Sequence, residues 1–106
     1  MPKKAMETLT ESMFYVLMAL NDGPKCGIDV AEFILNRTAG RIKMGPATLY
    51  TVLAKFEKEK YIRETETEGR KRTYAITPKG TEAYVGEIDR LKACLSDALA
   101  EGGAKS

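Results

Sequence analysis

The hydrophobic period of this chain turns from helical to alternating near Tyr61, and that change limits what it can fold into. Upstream, Leu49, Val52, Leu53 and Phe56 fall at i, i+3, i+4 and i+7, the spacing of a helix with one buried stripe. Downstream, "YIRETETE" and "RTYAIT" alternate, are rich in Thr, Tyr and Ile, and are separated by "GRK", the pattern of a two-stranded hairpin. "TPKG" then restarts a helix, with Thr77 as N-cap and Pro78 at the first helical position, and no strong stop follows before Gly102-Gly103. The chain reads as mainly α with a small β-hairpin.

Three helices are expected before the hairpin. "TLTE", Thr8 to Glu11, is a capping box that starts the first helix at Leu9, and "NDGP" stops it after Leu20. Its body, "SMFYVLMAL", is apolar on nearly every side, so a second face is expected to meet another subunit. In the second helix, about Gly27 to Arg37, Ile28, Ala31, Ile34 and Leu35 share a stripe, with Asp29, Glu32 and Asn36 elsewhere. Gly45 and Pro46 open the third. Along the last helix Tyr84, Ile88, Leu91, Leu95 and Ala98 are spaced 4, 3, 4, 3, a heptad seam that wants a partner helix. With Phe14 and Met18 of the first helix they form the expected dimer interface.

At 106 residues the chain is expected to be one compact domain. Residues 1–77 carry the helices and hairpin, 78–101 the long helix, and 102–106 a loose tail. Ser12 to Leu20 is too short to span a bilayer and no cleavage site follows, so a cytoplasmic protein is expected. Cys26 and Cys94 lie far apart without metal-type spacing and are expected to be small buried hydrophobes. There is no histidine, hence neither the commonest general base nor the commonest metal ligand. No nucleophile motif or phosphate-cradling loop replaces it, so no enzyme, cofactor or metal site is expected. Charge is uneven: residues 41–72 hold nine basic against five acidic side chains, whereas each flanking segment holds four against five. A surplus confined to one segment suits a local anionic partner.

On the third helix, Ala47, Thr51, Ala54 and Lys58 lie opposite the apolar stripe, flanked by Thr48 and Lys55 on one side and Tyr50 on the other. Small residues permit close approach, hydroxyls can bond phosphates or base edges, and the helix start attracts phosphate. That describes a recognition helix in a major groove. The preceding helix and a Gly-containing turn complete a helix-turn-helix, and the hairpin with Arg70, Lys71 and Arg72 at its tip has the makings of a wing.

"GPATLYTVLAKFEKEKYI" followed by "EGRKRTYAITPKG" resembles the PadR family of winged-helix transcriptional regulators, in its shorter branch with a single C-terminal helix. The likeness covers about residues 8–100. It implies a winged helix-turn-helix, and a homodimer held by the C-terminal helix with help from the first. Such a dimer binds double-stranded DNA at an inverted repeat and commonly represses genes for detoxification or efflux. The family's recognition-helix pattern falls on Pro46, Ala47, Thr48, Tyr50 and Thr51, to which Lys55 adds a cation, and its wing pattern on Arg70, Lys71 and Arg72. Cys26-Gly27-Ile28 stands where the family often has His-Gly-Tyr, and no Trp is present. Phe14, Tyr15, Met18 and Tyr84 have two readings, of which plain dimer core is favoured and an apolar slot across the dimer axis, a site for an aromatic ligand, is the other. The alternative class is a winged-helix module that makes protein contacts only, with the heptad helix as its working surface.

Overall fold

The computed structural model describes residues 9–69 and 71–102. Its elements are α1 (Glu11–Asp22), β1 (Lys25–Cys26), α2 (Gly27–Arg37), α3 (Pro46–Lys58), β2 (Ile62–Glu68), β3 (Lys71–Ile76) and α4 (Pro78–Ala100). Arg70 and the last residues of the tail, 103–106, lie outside the described residues, as does Thr8, the expected first cap.

The first cap is instead Thr10, whose hydroxyl accepts from the Met13 amide at 3.1 Å. Starting the helix two residues later leaves Leu9 just ahead of the cap, where it is buried in the core cluster that Phe14 also joins. Residues at these two positions form the usual apolar staple that fixes how a chain enters a helix. The starts of α2, α3 and α4 fall where the sequence places them.

The hairpin is part of a three-stranded antiparallel sheet ordered β1-β3-β2, larger than the sequence suggests. β1 pairs Lys25 with Tyr74 and Cys26 with Thr73. Two residues have no period to read, so this strand is legible only from its partner. Lys25 also ties the sheet to α1, donating to the Ala19 carbonyl at 2.9 Å and the Asp22 carboxylate at 2.8 Å.

The core lies under the sheet, where α1 (Val16, Leu17, Leu20), α2 (Val30, Ile34), α3 (Leu53, Phe56) and β2 (Ile62) contribute its largest fully buried side chains. Each such burial is worth about 1.5–3 kcal/mol. The buried arc of α2 runs through Gly27, Val30 and Ile34, which corrects the expected stripe. Ile28 lies one position round from that arc and is 74% exposed, because α2 faces the core at an angle set by its packing on α1 and β1. Cys26 is buried as expected, but Cys94 is exposed. From Leu91 onward α4 has left the body, and residues 91–100 are exposed on every side, with Leu95 and Leu99 at 60% and 64%. No helix among the described residues is long and apolar enough to cross a membrane.

One junction joins α3, the sheet and α4. α3 ends with the amides of Lys60 and Tyr61 bonding back to the carbonyls of Glu57 and Phe56, a Schellman cap that puts Lys60 at φ 68°. The Tyr61 ring packs 5.7 Å from that of Phe56, the apolar contact that accompanies this cap. The Thr77 amide then donates to the Tyr61 carbonyl at 2.9 Å. The Thr77 hydroxyl donates to the Lys60 carbonyl at 2.6 Å and accepts from the Gly80 amide at 3.0 Å. A Cβ on Gly80 would lie 2.1 Å from the Tyr61 carbonyl oxygen, so α4 approaches the strand as closely as only glycine allows. Gly80→Ala should therefore force α4 away from Tyr61, at the entry to β2, and cost about 1–3 kcal/mol. In a thermal melt, a Tm loss of about 4–8 °C per kcal/mol is expected. An unchanged melt would show that α4 can shift at no cost.

Candidate nucleic-acid interface

α3 divides cleanly between core and solvent. Leu49, Val52, Leu53 and Phe56 are buried, while Pro46, Ala47, Thr48, Tyr50, Thr51, Ala54, Lys55 and Lys58 are exposed. Its first turn has no acidic residue, and Gly45 supplies no side-chain cap, so no carboxylate competes for the amides at its start. The Thr51 hydroxyl donates to the Ala47 carbonyl at 2.8 Å, which leaves its lone pairs facing outward as acceptors.

Tyr50 takes a different course from its neighbours. It is half exposed, and its ring reaches across to the start of α2, where a Cβ on Gly27 would lie 2.6 Å from the phenolic oxygen. Any other residue at 27 would push Tyr50 aside. Together with Lys71 and Arg72 of β3, Tyr50 and the Cys26–Ile28 segment line a concavity of about 340 Å³ between α2, α3 and the hairpin.

The expected wing cations differ from one another. Arg70 lies outside the described residues. Arg72 donates to the Glu64 carboxylate at 3.1 and 2.6 Å, stands 3.8 Å from Glu57, and lies 5.6 Å over the Tyr74 ring. These hydrogen bonds to Glu64 raise its pKa still further above the ordinary arginine value. Lys71 is exposed. Sequence reasoning passed over Lys43, an exposed cation on the segment leading into α3, although the local charge surplus contains it.

Within one chain, the four residues expected across the dimer axis are divided between an aromatic cluster and a cleft. Phe14 stacks on Tyr84 with ring centres 5.4 Å apart and meets Tyr15 edge-on at 5.9 Å. The Tyr15 hydroxyl accepts from Arg41 at 3.0 Å, and Arg41 also pairs with Glu11 at 3.1 Å. Met18 and Tyr84 instead line a cleft of about 320 Å³ with Asn21, Asp22, Phe33 and Arg37. Tyr84 and Ile88 are half buried, whereas Leu91, Leu95 and Ala98 of the same seam are exposed.

Three helices packed under a small antiparallel sheet, with a hairpin directly after the third helix, define a winged helix-turn-helix. The transcriptional regulator PadR-like family model matches residues 16–85, and the chain belongs to that family. A transcriptional regulator from Clostridium thermocellum has the same fold, with a TM-score of 0.74 at 26% identity, over 88% of this chain and 92% of that one. Bacillus subtilis PadR in complex with operator DNA is similar over 74% of this chain and 47% of its own, with a TM-score of 0.66 at 18% identity. An uncharacterised 37.1 kDa protein in transposon Tn4556 of Streptomyces fradiae is 36% identical over 72 residues. This chain spans 20% of that relative's length.

The pairing of the wing cations has a measurable consequence. Lys71→Ala should flatten the salt dependence of duplex binding by about 0.9 in the log–log slope, the loss of one phosphate contact. Arg72→Ala should change it less, since Glu64 already balances that charge. Titrations between about 50 and 200 mM salt decide it. Equal losses would mean that Arg72 leaves Glu64 on binding.

Proposed function

We propose that this chain is a sequence-specific DNA-binding regulator that acts in the cytoplasm as a homodimeric repressor on an inverted-repeat operator. The observation that carries the reading is the outward face of α3, whose opening turns are exposed, uncharged and small, with Lys55 and Lys58 further along the helix. Pro46, Ala47, Thr48, Tyr50, Thr51 and Lys55 are assigned to the duplex, and Lys71 to its phosphates. Homodimerisation is supported by the second half of α4, whose Leu91, Leu95 and Leu99 form an apolar row in water. A two-fold axis there presents two α3 helices, so half-sites should lie about one helical turn, or a multiple of it, apart. The input assigned to this regulator is an aromatic small molecule, supported by the cleft that Phe33 and Tyr84 border beside Arg37.

Selection of bound duplexes from a random pool tests the reading, with an inverted repeat as the expected product; a pool without enrichment would sink it. Thr51→Ala should leave the melt within about 0.5 kcal/mol of the parent. It should lower affinity for the selected site by about 1 kcal/mol or more, the scale of a lost base-edge contact. Leu53→Ala should do the reverse, costing about 2–5 kcal/mol of stability and reducing binding only through unfolding. The opposite pattern would mean that α3 faces the duplex with another side. Leu91→Glu should give monomer or aggregate in sedimentation; a stable dimer would place the interface elsewhere.

A further inference from the structure

We propose that the concavity between α2, α3 and the wing seats one sugar–phosphate unit of the duplex backbone, with Ile28 packing on the deoxyribose and Lys71 meeting the adjoining phosphate. The inference rests on the reading that α3 faces a duplex. Among the described residues Ile28 is the most exposed of the large apolar side chains, at 74%, and it lines a built hollow. One side of that hollow is apolar, formed by Ile28 and the Tyr50 ring, and the other is cationic, formed by Lys71 and Arg72. Arg72 is balanced by Glu64, whereas Lys71 is exposed where it lines the hollow.

This division of surface selects the occupant. A purely apolar ligand would desolvate the Lys71 ammonium without pairing it, which is costly. A free inorganic anion would leave Ile28 in water. A nucleic-acid backbone alternates an apolar sugar with a charged phosphate and satisfies both sides at once. Position agrees with chemistry: a backbone strand running between a groove filled by α3 and the wing must cross the space between Tyr50 and Lys71. Gly27 keeps that space open, since a side chain there would displace the Tyr50 ring.

Titration of Ile28→Ala against the selected operator and a scrambled duplex, at several salt concentrations, tests the assignment. Ile28 is so exposed that the variant should melt like the parent. Affinity for both duplexes should fall by the same factor, about threefold to tenfold, as apolar contact is lost. The salt slope should stay at the parent value, whereas Lys71→Ala should lower it by about one. Binding as tight as the parent's on both duplexes would overturn the proposal. So would a loss confined to the operator, which would make Ile28 a base reader. A parent protein that binds neither duplex would instead refute the DNA reading itself, and that result is read before any variant is made.

Discussion

The Tyr61 backbone carbonyl is the point on which the rest of the arrangement depends. It accepts the Thr77 amide and closes against Gly80, while its own residue caps α3 through the Schellman bonds. α3, the hairpin and α4 thus meet within a few residues, joined by main-chain contacts that tolerate little adjustment. Backbone hydrogen bonds left unmade there would each cost about 1–3 kcal/mol. The orientation of α3 relative to the hairpin is therefore set by the chain itself.

Electrostatics at the interface is more economical than the count of basic residues suggests. The segment 41–72 carries nine cations, but Arg72 is held by Glu64 and Glu57, and Arg41 by Glu11 and Tyr15. Exposed ion pairs of this kind add little stability, commonly about 0–1 kcal/mol. Their larger effect is to fix where the side chains point and to thin the local field. Exposed cations outside the described pairs, such as Lys43, are the ones that a polyanion meets unscreened. On the proposed reading, affinity carried by few phosphate contacts leaves more of the discrimination to the neutral face of α3.

What was legible in the sequence was local. Pro46, Thr77 and Pro78 mark helix starts because caps depend on a few neighbouring residues, and the Leu49–Phe56 stripe was read correctly because α3 buries one whole face. Ile28 was misjudged because periodicity gives the spacing of a stripe but not which of two adjacent arcs the tertiary packing selects. β1 was missed because two residues carry no pattern. Thr10 rather than Thr8 is the cap, and Leu9 is buried just ahead of it. The Arg72–Glu64 pair spans the hairpin, and neither residue type nor spacing distinguishes Arg72 from Lys71 beside it.

α4 has two natures, and the boundary between them is chemical. Up to Glu87 it packs on α1, and Glu87 itself is buried, with Arg90 donating to both of its oxygens. Those hydrogen bonds, with a smaller contribution from the Leu9 amide, hold the Glu87 carboxyl below its ordinary value of 4.5. A lowered acid stabilises the folded state above the unfolded pKa and gives that stability up as pH falls through the folded one. The clasp between α4 and the start of α1 is thus complete at neutral pH and weakens only in acid. Beyond Arg90 the helix is solvent on all sides. The helix thus has a packed root and an exposed arm, and the root sits beside the end of α3, where the Tyr61 carbonyl accepts the Thr77 amide and closes on Gly80.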